Sequence, residues 1–275
     1  MLQAVDVTYH YGAGRRAGGG TDPPPAGRRP HAPVIDGVSL EIPSGALIGL
    51  LGPNGSGKTT LLRLLAGTLK PTRGVVRLDG DDLSRIPRHL LARRCAVVPQ
   101  ETHLAFEYTV LEIVLMGRYP HLRAFQFERP EDMSAAMQAL DATGTLEFAH
   151  RPFATLSGGE KQRVIIASAL AQLNESLPNR SPRLLLLDEP TASLDLRYQI
   201  EVAQLIARLH RDAGVTIVLS THDLHFAASV CDDVVLLQRG RVLARGRTAD
   251  VLTAPNVAEL YGVDINALRQ LTHTL

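Results

Sequence analysis

Residues 52–59 read Gly52-Pro53-Asn54-Gly55-Ser56-Gly57-Lys58-Thr59, a complete G-x-x-x-x-G-K-[ST] loop, and no other stretch restricts the fold as tightly. The apolar run Leu47-Ile48-Gly49-Leu50-Leu51 precedes it, as a buried parallel strand would. Behind it, Thr59-Thr60-Leu61-Leu62-Arg63-Leu64-Leu65-Ala66 has helical spacing and strong helix formers. Strand, glycine loop and helix in that order predict an α/β core in which backbone amides and a helix N-terminus cradle phosphate. Gly55 and Gly57 let the backbone approach closely. Lys58 is expected to reach the β- and γ-phosphates of a nucleotide. The Thr59 hydroxyl is expected at a Mg²⁺ ion, and Thr60 beside it is expected to bind the nucleotide.

A second run, Leu184-Leu185-Leu186-Leu187-Asp188-Glu189-Pro190, predicts a fully buried strand ending in two carboxylates. Such a strand delivers its last residues to the carboxyl edge of the sheet, beside the phosphate loop. Asp188 then suits Mg²⁺ through a water, since that ion keeps several waters and takes few protein carboxylates. Glu189 points elsewhere and can accept a proton from an attacking water. The run Val215-Thr216-Ile217-Val218-Leu219 ends at the same edge and carries His222 there.

Between these elements lies Leu156-Ser157-Gly158-Gly159-Glu160, ahead of the helical pattern Gln162–Leu170. In this setting it resembles the signature of the ATP-binding cassette (ABC) family, and the resemblance runs over nearly the whole chain. Gln100, in Val97-Val98-Pro99-Gln100, resembles the glutamine that senses Mg²⁺ and the transmembrane partner. Ser193-Leu194-Asp195 resembles the D-loop, and His222 the switch histidine. Tyr11, followed by Gly12, matches the aromatic that stacks on adenine, with Tyr9 as a competitor.

The resemblance implies a phosphate-loop NTPase core with a mostly parallel sheet, an N-terminal antiparallel β subdomain and a helical signature lobe. It implies an ATPase using ATP and Mg²⁺, with Glu189, His222, Gln100 and Asp195 in the catalytic machinery. It also implies a homodimer in which Ser157, Gly158 and Gly159 of one copy meet ATP held by Gly52–Thr59 of the other. A helix N-terminus would then face phosphate a second time.

The 275 residues are read as one domain: about 1–100 and 168–275 form the β subdomain and core, and about 101–167 the helical lobe. From Gly14 to Pro33 the composition turns to Gly, Pro and Arg, which predicts a flexible exposed loop inserted in a hairpin. The strand-like stretch Gly74–Gly80 is expected in the small sheet, and the chain is expected to end in a helical tail. No apolar run approaches a membrane span of roughly 18 residues. Nor is there a signal-peptide pattern. A place on the cytoplasmic face of a bacterial inner membrane, held by partners, is therefore expected. A net charge of +1 argues for no nucleic-acid partner. Cys95 and Cys231 are isolated and expected to be buried thiols.

Chromosome and repair ATPases with the same signature carry coiled-coil or zinc insertions, and neither heptads nor cysteine clusters occur here. Translation-factor relatives carry two cassettes, and exporter subunits are usually fused to a membrane domain. The stretch Gly117-Arg118-Tyr119-Pro120-His121 resembles importers of iron chelates, haem and cobalamin. The polar Leu173–Pro182 extension is read as a surface loop, and it resembles haem importers more than siderophore or cobalamin relatives. Two transmembrane permease subunits and, indirectly, a periplasmic cargo-binding protein are the implied partners.

Overall fold

The computed structural model describes residues 1–11, 32–102, 106–123, 125–174, 183–192 and 194–265. Most of the Gly14–Pro33 insert, Gly12, the Leu173–Pro182 extension beyond Asn174, Ser193 and the tail after residue 265 lie outside the described residues.

Among the described residues the strands are β1 (Leu2–Tyr9), β2 (Ile35–Ile42), β3 (Leu47–Leu51), β4 (Arg73–Leu78), β5 (Asp81–Asp82), β6 (Cys95–Val98), β7 (Leu184–Asp188), β8 (Thr216–Thr221), β9 (Asp233–Gln238) and β10 (Arg241–Arg247). Among the described residues the helices are α1 (Lys58–Leu65), α2 (Arg88–Arg94), α3 (Val110–Met116), α4 (Pro130–Ala142) and α5 (Gly158–Leu173). They continue with α6 (Leu196–Ala213), α7 (Leu224–Val230), α8 (Thr248–Val251) and α9 (Ala254–Tyr261).

Two sheets form. The smaller is antiparallel, in the order β2-β1-β4-β5, and the larger has the order β10-β9-β3-β8-β7-β6. In the larger sheet β9, β3, β8, β7 and β6 run parallel, and only the edge strand β10 is antiparallel. Every residue of β3, β7 and β8 is buried, which accounts for their unbroken apolar runs.

Alternation along each strand still sorts side chains by face. Leu184 and Leu186 of β7, with Leu50 and Val218, join a core shared with the small sheet and α1. Leu185 and Leu187, with Leu51, Ile217 and Leu219, face a second core made by α5, α6 and α7. On α6 the residues Val202, Leu205, Ile206 and Leu209 fall at the spacing of one helical face and are buried there.

A third core lies among α3, α4 and α5. Helix α5 belongs to two of these cores at once. Val164, Ala167 and Ala171 pack into the lobe, while Ile166, Ala169 and Leu173 pack on the large sheet. No helix among the described residues is long and apolar enough to cross a membrane.

Candidate functional site

Four neighbouring parallel strands converge at one sheet edge. There β3 runs into the 52–59 loop, β7 into Glu189, β8 into His222, and β6 toward Gln100. Their registers are aligned, with Leu51 opposite Thr221, Asp188 opposite Ser220, and Val98 opposite Leu187. A cavity of about 650 Å³ opens at this edge, lined among others by Asn54, Gly55, Gly57, Lys58, Thr59, Thr60, Gln100, Glu189 and His222.

The loop has the shape its glycines dictate. A Cβ on Gly52 would lie 2.2 Å from the Leu237 carbonyl oxygen and 2.7 Å from Ser56 Oγ. Gly57 has φ +105°, and a Cβ there would meet Ile35 Cδ1 at 2.8 Å. Gly57 is also the residue before α1, so this helix starts with no capping side chain and no acidic residue in its first turn. Its first-turn amides and their partial positive charge thus face the cavity without a competing anion of the helix's own. Pro53 accepts from the Ser56 amide at 3.1 Å, closing the loop on itself. The Ser56 hydroxyl is buried without a hydrogen-bond partner among the described residues.

The Lys58 ammonium is buried and donates to the Gly52 carbonyl at 2.8 Å and the Pro53 carbonyl at 3.3 Å. It also lies 3.4 Å from Glu189 Oε1. The other carboxylate oxygen of Glu189 is 3.3 Å from His222 Nδ1. Glu189 has φ +46°, a left-handed conformation unusual for a non-glycine residue. That turn separates it from Asp188, whose Oδ1 accepts from Ser220 Oγ at 2.6 Å and from Thr59 Oγ1 at 3.1 Å. Asp188 is buried and the His222 side chain is 55% exposed, so one acid is fixed within the sheet and the histidine stands at the cavity mouth.

An oxygen set of Thr59, Asp188 and Gln100 fits a hard cation that takes most of its ligands from water and substrate. Among the described residues no group of three or more His, Cys, Asp or Glu could hold a metal ion.

Tyr11 stands at the rim, 47% exposed, its hydroxyl 3.2 Å from Thr60 Oγ1. The Tyr9 ring meets it edge-on at 5.0 Å and is itself packed against the core, which leaves Tyr11 the more accessible ring.

Ser157, Gly158, Gly159 and Asp195 do not line this cavity. Ser157 caps α5 in a reciprocal box: its hydroxyl accepts from the Glu160 amide, and Glu160 accepts from the Ser157 amide at 2.7 Å. That amide, with the Ser157 hydroxyl, outweighs partial burial and holds the Glu160 carboxyl below its ordinary range. Gly158 is exposed, whereas a Cβ on Gly159 would run into Tyr198 Cδ1 at 2.3 Å, so α6 packs directly over it. Asp195 is exposed at the start of α6.

The segment 117–121 has a largely internal role. A Cβ on Gly117 would lie 2.2 Å from the Ser168 carbonyl oxygen. Arg118 is buried, donates to the Ala171 and Asn174 carbonyls at 2.6 Å each, and pairs with the fully buried Asp132 at 3.1 Å. His121 Nε2 lies 2.8 Å from the Gln172 carbonyl oxygen, and Arg93 donates to Pro120 at 2.8 Å. Only Tyr119 of the five is strongly exposed.

Several site residues have no counterpart in the sequence reading. Thr191, Gln199, Thr221 and Asp223 line the cavity. Ser220 is fully buried and holds both acids. The available signal was Ser220-Thr221 closing an otherwise apolar strand.

With this geometry in view, the known proteins it resembles are consistent. The family described as ABC transporter matches residues 35–192. The hemin import ATP-binding protein HmuV of Gloeobacter violaceus is 45% identical over 239 residues, 86% of this chain and 84% of that protein. HmuV of Escherichia coli O157:H7 is 42% identical over 236 residues, 86% of this chain and 89% of that protein. Among solved structures, the dimeric bacterial ABC transporter cassette MJ0796 superposes with a TM-score of 0.71 at 27% identity, covering 90% of this chain and 99% of that one.

Proposed function

This chain belongs to the ABC transporter family and is an ATPase of that family, and from that premise we propose that it powers the import of haem. The chemistry rests on one observation: the Glu189 carboxylate stands between Lys58 and His222 at the mouth of the phosphate-loop cavity. The cargo is suggested by relatives named for hemin import at 45% and 42% identity.

In this reading ATP lies along the 52–59 loop, its phosphates against the α1 amides and Lys58, its adenine on Tyr11. Lys58 exchanges the Gly52 and Pro53 carbonyls for phosphate oxygens. That exchange frees Glu189 to take a proton from the attacking water. His222, on the other side of Glu189, bears on the γ-phosphate charge. Thr59, Gln100 and, through a water, Asp188 would hold Mg²⁺, which neutralises phosphate charge when bound. Positioning and electrostatics then supply most of the rate.

The remaining phosphate contacts come from a second copy. Ser157, Gly158 and Gly159 stand at the N-terminus of α5, away from their own chain's cavity and with Gly158 exposed, which suits contact in trans, and Asp195 opens α6, whose Tyr198 packs over Gly159. The whole of 1–275 serves as one ATPase domain of such a dimer. Two permease subunits hold it at the cytoplasmic face of the membrane, and a periplasmic binding protein delivers the cargo to them.

The test is a transporter reconstituted in liposomes with its binding protein, with ATP on the side of this subunit. ATP-dependent haem uptake supports the proposal. Uptake of a ferric siderophore or cobalamin with haem ignored would replace the cargo and leave the ATP chemistry standing.

A further inference from the structure

His222 occupies a single-residue step between two fixed elements. Thr221 is the last residue of β8 and Asp223 the cap of α7. The Asp223 amide donates to Thr221 Oγ1 at 3.0 Å, and Asp223 Oδ1 accepts from the His225 and Phe226 amides at 2.9 and 3.0 Å. These bonds hold the flanks. The imidazole itself is more than half exposed, so packing does little to aim it.

What reaches the step from outside is α9. The Tyr261 hydroxyl donates to the His222 carbonyl oxygen at 3.0 Å, across 39 positions of sequence. Tyr261 is half-buried, and its ring packs against the core under α7. Burial pushes its phenol up, with the Asp223 carboxylate acting in the same direction, so the hydroxyl stays a donor throughout the neutral range. Helix α9 is in turn tied to the central sheet. Gln238, the last residue of β9, donates to the Leu260 carbonyl at 3.1 Å and to that of Glu259 at 2.5 Å. Strand β9 pairs with β3, which runs straight into the phosphate loop. The tyrosine therefore references the histidine to the same strands that hold Lys58.

We propose that Tyr261 is a positioning residue for ATP hydrolysis, acting through the backbone of His222 to aim its imidazole at Glu189 and the γ-phosphate. This rests on the assignment of His222 in the proposed function. A hydroxyl–carbonyl bond lost from this step lets the backbone drift, and displacement of a group that acts on the transition state lowers kcat more than it raises KM.

The experiment compares ATP turnover by the full chain as wild type, Tyr261→Phe, His222→Ala and the double variant. Phenylalanine keeps the ring that packs in the core, and the thermal unfolding midpoint reports whether the fold is retained. Tyr261→Phe is expected to lower kcat about three- to tenfold with KM for ATP changed less than about twofold. In single-turnover measurements on the His222→Ala background it is expected to change nothing further. An equal loss in both backgrounds would make Tyr261 a general stabiliser and overturn the proposal. So would wild-type turnover by Tyr261→Phe while His222→Ala is impaired. Wild-type turnover by His222→Ala would instead remove the role of His222 itself.

Discussion

The backbone amide of Glu189 donates to Ser220 twice over, to its hydroxyl at 3.0 Å and its carbonyl at 3.1 Å. The same hydroxyl donates to Asp188. One strand-end serine thus fixes the point at which two consecutive acids part, one facing Thr59 and the other Lys58 and His222.

Ser220→Ala should therefore disturb both acids at once. Asp188 loses its shorter donor, and Glu189 keeps only the carbonyl half of its anchor against a strained φ of +46°. Stability should fall by about 1–3 kcal/mol, the cost of leaving buried polar atoms unmatched. Turnover should fall about tenfold or more, because the proposed base, Glu189, no longer sits in one orientation. Denaturant unfolding and steady-state ATPase assays measure the two, and an unchanged rate would show that Ser220 is dispensable to the acids.

Glu189→Gln preserves shape while removing the proton acceptor. Nucleotide binding should survive, since Lys58 and the loop amides remain, while turnover drops by roughly 10²–10⁴. Size-exclusion chromatography with ATP and Mg²⁺ should then show a trapped dimer. Turnover like wild type would take the base role away from Glu189.

Much of this site was legible because the chain spells it at strand ends. The runs Leu184–Asp188, Leu47–Leu51 and Val215–Leu219 each announce a buried strand, and parallel strands must put Glu189, the glycine loop and His222 at one edge. Ser220 left only a weak signal, because Ser220-Thr221 at the end of an apolar run reads the same whether the serine turns or anchors. Tyr261 lies 39 positions from the carbonyl it holds, and no local pattern encodes that meeting. For the segment 117–121 the sequence offered a resemblance and no sign of which side chains turn inward. In the fold, the last carbonyls of α5 need donors, and Arg118 turns inward to supply them. Helix α5 is apolar on two faces, so it serves the lobe and the core together.

Ser157→Arg separates the two halves of the shared site. The residue lies away from its own chain's cavity, so ATP affinity of the monomer should change less than about twofold. Turnover should disappear if the proposed dimer is right, because bulk and positive charge then stand where the second copy would contribute its α5 N-terminus. Loss of ATP binding by the monomer would put Ser157 in the primary pocket instead.

The two thiols give a check on burial that is independent of nucleotide. Cys95 and Cys231 are both buried, and burial pushes each thiol up to about 12, with Asp232 adding to the effect at Cys231. At pH 8 the native chain should react with iodoacetamide roughly a hundredfold or more slowly than the chain in urea. Rapid modification of the native protein would mean that one of these cores opens readily.

The Arg118–Asp132 pair tests whether segment 117–121 holds the lobe together. Asp132 is fully buried, which by itself opposes ionisation; the Arg129 amide and the Arg118 and Arg129 guanidiniums outweigh that and keep its carboxyl below the ordinary range. A lowered folded value means the carboxylate stabilises the protein above the ordinary aspartate range and ceases to as pH falls through the lower, folded value. Asp132→Asn retains the shape and leaves the Arg118 charge buried against a neutral amide. The cost should be about 3–5 kcal/mol near neutral pH, shrinking as acid titrates Asp132 in the wild type. ATP affinity should hold, since neither residue lines the phosphate cavity. Denaturant unfolding at pH 7 and at progressively lower pH measures both effects. Equal stability of the two proteins at pH 7 would show that the lobe does not depend on this pair.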